Sequence, residues 1–102
     1  MTGEPIQVGL ADDDVLLREG LASLLQRSGF DVVGKCEDAP HLLALVRERQ
    51  PQLVIVDIRM PPGYSTEGLE AAHQIREEFP DIAILVLSCF LIHRLEVTYT
   101  AE

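Results

Sequence analysis

Leu53-Val54-Ile55-Val56-Asp57 is the stretch on which the fold turns. Four apolar residues in a row, three of them β-branched, with no polar alternation, describe a strand covered on both faces, as a central strand of a parallel sheet is. The run stops abruptly at an acid. Upstream, Ile6 to Ala11 is a second short apolar segment, interrupted only by Gln7 and Gly9, and it runs into Asp12, Asp13 and Asp14. Downstream, Ile82 to Leu87 is wholly apolar and ends at Ser88.

The segments between them have helical spacing. Val15, Leu17, Leu21, Leu24 and Leu25 follow Asp14, and Gly29 is a helix stop. Phe30 to Lys35, with Val32 and Val33, reads as another strand. Asp38-Ala39-Pro40 offers an N-cap with proline in the first turn, and Leu42, Leu43, Leu45 and Val46 form an apolar face that ends near Gln50-Pro51. Ser65 or Thr66 can cap a last helix carrying Leu69, Ala72, Ile75, Arg76 and Phe79, closed by Pro80-Asp81. The order β-α-β-α-β-α-β predicts an α/β domain, a parallel sheet with helices on both faces. No internal repeat, linker or low-complexity stretch interrupts it.

The whole chain has 102 residues and 11.3 kDa, which fits one domain, and 47% hydrophobic against 25% charged residues allows a real core. Eight Lys and Arg against 17 Asp and Glu give 8 − 17 = −9, which argues against nucleic-acid binding, since phosphate contacts need clustered cations. Metal ions or a basic protein face suit this charge better. No apolar run approaches the ~18 residues of a membrane span, and Met1 to Pro5 lacks the basic, apolar start of a signal peptide, so a cytoplasmic location is expected. In that reducing compartment Cys36 and Cys89 read as small core residues rather than as a disulfide.

In an open α/β sheet the ligand site lies beyond the carboxyl ends of the strands, where strand order reverses. In a flavodoxin-like doubly wound sheet of order 2-1-3-4-5, strands one, three and four are neighbours, so Asp12, Asp13, Asp57 and Ser88 would share one edge. Three crowded carboxylates resist ionising together unless a cation compensates, and Mg²⁺ supplies that charge, prefers oxygen ligands and keeps positions open for phosphate oxygens. A carboxylate beside such an ion can attack a phosphoryl group, and Asp57, alone at the tip of the central strand, is the candidate nucleophile.

Leu10-Ala11-Asp12-Asp13, Val54-Ile55-Val56-Asp57-Ile58-Arg59-Met60-Pro61 and Leu85-Val86-Leu87-Ser88 together resemble the phosphoacceptor pocket of bacterial two-component response-regulator receiver domains. The resemblance spans residues 6 to 88, with 1–88 as the receiver core, 89–102 as an atypical tail and no output domain. Leu17-Arg18-Glu19-Gly20-Leu21 further resembles the LuxR/NarL-type subgroup. The resemblance implies that Asp57 accepts a phosphoryl group from a sensor histidine kinase. It also implies that Asp13, Asp57 and the Arg59 main-chain carbonyl ligate Mg²⁺, that Asp12 acts mainly through water, and that Ser88 is the switch hydroxyl. Asp14 falls beyond the family's acid pair and reads as the helix N-cap.

The sequence departs from the family in two places. Met60 to Gly68 is a few residues longer than the usual loop. The family continues past its fourth strand with a helix, a strand ending in lysine and a last helix, whereas here only Cys89 to Glu102 follow, and Lys35, in the second strand's region, is the only lysine. A truncated or altered terminus lacking the last strand and helix is therefore expected, with low stability or self-association as a homodimer or strand-exchanged oligomer.

Other polar residues have plain readings. His41, His73 and His93 lack ligand spacing, Arg47-Glu48-Arg49 and Arg76-Glu77-Glu78 read as solvated helix ends, Tyr64 as a loop aromatic and Gly68 as a tolerated helix glycine that also fits the family. The expected function is a phosphoacceptor signalling module, not an enzyme beyond its own phosphorylation and dephosphorylation, controlling transcription through a DNA-binding domain absent here. The alternatives are a receiver-like scaffold that no longer takes phosphate and a haloacid-dehalogenase-like phosphatase. The latter rests on Asp12-x-Asp14, but it needs a downstream lysine and a further acidic pair that do not follow Ser88.

Overall fold

In the computed structural model, residues 4–58, 60 and 67–87 are described. β1 (Gln7–Ala11) leads into α1 (Val15–Arg27), β2 (Asp31–Cys36) into α2 (Ala39–Arg49), and β3 (Leu53–Asp57) precedes α3 (Glu67–Glu78) and β4 (Ala83–Leu87). Caps place two of the helix starts. Asp14 is extended and its carboxylate accepts the Leu17 amide at 3.1 Å, while Asp38 accepts the His41 amide at 2.9 Å with Pro40 in the first turn. α1 closes at Gly29, whose φ of 99° an L side chain rarely adopts. The strands start one residue later than hydrophobicity suggested at Ile6, Phe30 and Ile82, because pairing rather than apolarity sets the ladder: its first partners are Gln7 with Asp31 and Leu53 with Ala83.

The described strands form one parallel sheet of order β2-β1-β3-β4, the expected flavodoxin-like arrangement. β1 and β3 are interior, and alternation along β3 divides the core. Val54 and Val56 join Leu42 and Val46 of α2, Ala71, Ala72 and Ile75 of α3, and Ile84 and Val86 of β4 in the larger cluster. Ile55 turns to the opposite face with Val8, Leu10, Leu87 and Ala22 of α1. Met60 is fully buried in the first cluster, so the chain beyond β3 is anchored there.

Arg47 is not a merely solvated helix end. Its Nε and Nη2 donate to the two carboxylate oxygens of Glu78 at 3.0 and 2.7 Å, joining the last turns of α2 and α3. Cys36 is half-buried, packs against the larger cluster, and lies 3.7 Å from the Leu10 carbonyl oxygen through Sγ; burial pushes its thiol up to about 12. That agrees with a small core residue, while Cys89 lies outside the described residues, as do His93 and the rest of 89–102. Among the described residues no helix is long and apolar enough to cross a membrane.

Candidate functional site

The register of the two interior strands builds the site. Ala11 of β1 pairs with Val56 of β3, so the next residues, Asp12 just past β1 and Asp57 at the last position of β3, stand side by side at the sheet edge, with Asp13 following. One carboxylate oxygen from each of Asp12, Asp13 and Asp57 lies within 4.8 Å of the others. Asp13 and Asp57 are half-buried, whereas Asp12 is only 2% exposed.

Asp12 is held by nearly every polar atom it has. Its N–H donates to the Cys36 carbonyl at 3.0 Å, extending the β1–β2 ladder past the end of the strand. Its carbonyl accepts Arg18 Nη1 at 2.8 Å, and Oδ1 accepts the Asp14 amide at 2.9 Å. Oδ2 is buried with no hydrogen-bond partner, the only such side-chain atom among the described residues. Burial raises the Asp12 carboxyl above its ordinary range, and Asp13 and Asp14 push the same way, against the Asp14 amide and Arg18. Asp14 itself caps α1, as expected, and leaves Asp12 and Asp13 beside Asp57.

This donor set fits a hard divalent cation. All three groups offer oxygen, and a buried carboxylate oxygen with no donor costs about 1–3 kcal/mol that a bound cation would relieve. Arg59, Tyr64 and Ser88, singled out from the sequence, lie outside the described residues.

Gly68 matters more than its sequence reading allowed. Its N–H donates to the Ile58 carbonyl at 2.8 Å, which seats the start of α3 on the end of β3. A Cβ there would run into the Asp57 carbonyl oxygen and lie 2.8 Å from the Asp57 carbonyl carbon and the Ile58 oxygen. The residue is therefore not a tolerated helix glycine but the condition for α3 to approach the strand that carries Asp57. Its position at the start of the helix that follows that strand was the one available signal.

Comparison with known proteins agrees with this geometry. Residues 8–97 match the family described as the response regulator receiver domain. The transcriptional regulatory protein DegU of Brevibacillus brevis is 36% identical over 84 residues, covering 81% of this chain and 34% of that protein. The oxygen regulatory protein NreC of Staphylococcus epidermidis is 36% identical over 86 residues, covering 83% of this chain and 38% of that protein. The chain thus spans a little over a third of the length of these curated relatives. Among solved structures, a LuxR-family two-component response regulator from Aurantimonas sp. SI85-9A1 superposes with a TM-score of 0.75 at 31% identity, over 83% of this chain and 59% of that one. The receiver domain of the putative response regulator NarL from Mycobacterium tuberculosis gives 0.74 at 28% identity, over 85% and 68%. A sheet whose interior strands bring their terminal acids together, and a family match over most of the sequence, lead to one conclusion: the chain belongs to the response regulator receiver domain family.

Proposed function

We propose that this chain is a phosphoacceptor module in which Asp57 takes a phosphoryl group from a phosphohistidine on a sensor kinase. The observation that carries the reading is the meeting of Asp12, Asp13 and Asp57, with a buried Asp12 carboxylate oxygen that has no hydrogen-bond partner among the described residues. In the transfer, an Asp57 carboxylate oxygen forms a bond to phosphorus as the bond from phosphorus to the imidazole nitrogen breaks, and the imidazole leaves as a neutral ring after taking a proton. Asp12, Asp13 and Asp57, with the Arg59 main-chain carbonyl, would hold Mg²⁺, which offsets negative charge on the transferred group. Asp12 is fixed for that role by its backbone and its Oδ1, and the ladder under β1 and β3 keeps the three acids together before any ligand arrives. Ser88, directly after β4, would be the switch hydroxyl, turning toward the phosphate and altering a protein-binding face. In a longer protein that face would control a DNA-binding output domain, in keeping with relatives named as transcriptional regulators.

One observation favours a second reading. Lys35 is on strand β2, which β1 separates from the Asp57-bearing β3, and its Nζ lies 2.7 Å from Glu19 Oε1, so its charge is committed away from the acids. On this reading the chain is a scaffold that acts by protein contacts alone. Incubation with acetyl phosphate and Mg²⁺, followed by intact mass measurement, separates the two. The phosphoacceptor reading expects one added phosphoryl group on the wild type and none on Asp57→Asn. An unlabelled wild type overturns it and leaves the scaffold, and equal labelling of both overturns Asp57 as the acceptor.

A further inference from the structure

We propose that Arg18 is a positioning residue for the cation site, acting through the peptide unit that joins Asp12 to Asp13; this rests on the metal reading above. Arg18 lies in the first turn of α1, outside the acid cluster, and its side chain is only 14% exposed. Its Nη1 donates to the Asp12 carbonyl oxygen at 2.8 Å. That oxygen belongs to the rigid plane that also contains the Asp13 nitrogen, so a hydrogen bond to it fixes the orientation of the link between two of the three acids. The Asp12 N–H is taken by Cys36 and Oδ1 by the Asp14 amide. With the carbonyl taken by Arg18, Oδ2 is the one polar atom of Asp12 left for a ligand.

Arg18 is itself held. Glu19 Oε2 lies 3.6 Å from Arg18 Nε, and Glu19 Oε1 accepts Lys35 Nζ at 2.7 Å, so a chain of charged contacts runs from the outer strand through α1 to the end of β1. A guanidinium with little access to water, aimed at one carbonyl by a neighbouring carboxylate, acts as a fixed strut. Its charge works in the opposite sense, since a cation nearby repels a second one. The two effects predict opposite results when the group is removed, which makes the proposal decidable.

The experiment uses Mn²⁺ as the probe, titrated into the protein with the free ion followed by electron paramagnetic resonance, and a metal-free thermal melt to verify the fold. Groups that orient metal ligands from outside the coordination shell change affinity by roughly 10- to 100-fold. Arg18→Met, which keeps the aliphatic stem, is expected to bind Mn²⁺ about tenfold more weakly than wild type. Arg18→Lys, with the same charge and one remaining donor, is expected to recover part of that loss, which charge repulsion alone would not produce. A folded Arg18→Met that binds as tightly as wild type, or more tightly, overturns the proposal. Should Arg18→Met fail to fold, wild-type affinity in Arg18→Lys overturns it and weakened affinity supports it. A wild-type chain that takes up no Mn²⁺ overturns the metal reading and this inference with it, a result distinct from both.

Discussion

The turn from β1 into α1 and the turn from β2 into α2 are built alike. Each follows a parallel strand, each carries consecutive acids, Asp12-Asp13-Asp14 in one and Glu37-Asp38 in the other, and each ends on an aspartate that caps the next helix. Their electrostatics nevertheless run in opposite directions. Burial raises the Asp12 carboxyl, whereas the His41 amide, followed by the His41 ring 2.7 Å away, lowers that of Asp38. The sheet order accounts for the difference. β1 lies between β2 and β3, so what emerges from it is walled by a second acid-bearing strand, while β2 is outermost and its acids reach water. Residue type supplies a helix cap in either place, and only the central position gathers the leftover acids into a cluster with Asp57.

The largest expected effect tests how closely that central position is built. Gly68→Ala forces a methyl group against the main chain of Asp57, and the overpacking is expected to cost about 3 kcal/mol in urea unfolding. A wild-type midpoint in that variant would show that the central pocket is no more constrained than the outer turn.

Next in size is Asp12→Asn. It replaces a buried carboxylate by a neutral amide, and is expected to stabilise the metal-free protein by about 1–2 kcal/mol at neutral pH. The sign follows from the raised folded pKa: the native state binds a proton more readily than the unfolded chain, so the ionised group costs stability above its folded pKa. That cost fades as pH falls through the folded value, and the advantage of the variant should fade with it in acid unfolding curves. A constant advantage at every pH would break the contrast between the turns.

Asp38→Ala gives the smallest effect and the opposite sign, a loss of about 1 kcal/mol for a helix cap. Here the folded pKa is below 3.8, so the stabilisation is present above that value and is lost as pH falls through the folded one. Thermal melts of the variant and wild type should converge in strong acid, where those for Asp12→Asn converge from the other side.

Much of this architecture was legible because local chemistry determined it. The apolar runs fixed the strands, Asp14 and Asp38 marked their helix starts, and topology alone put Asp12, Asp13 and Asp57 on one edge. The parts that sequence did not show are distances between residues far apart in the chain. Arg47 and Glu78 are 31 positions apart, and each by itself looks like a solvated charge at a helix end. Gly68 is ordinary until the carbonyl of Asp57 is found against it, and Arg18 passes for part of a subgroup motif until its guanidinium is traced back six residues to Asp12. The orphaned Oδ2 is likewise a product of packing, since the sequence did not show which of Asp12 and Asp13 would be the buried one.

The two-sided pairing of β1 and β3 also bears on time. Freeing either strand means breaking hydrogen-bonded ladders on both flanks at once, so local fraying does not reach them and only near-global opening does. The acids at their tips are therefore carried by segments whose amides are expected to exchange slowly with solvent, so the cluster should hold its spacing between near-global openings.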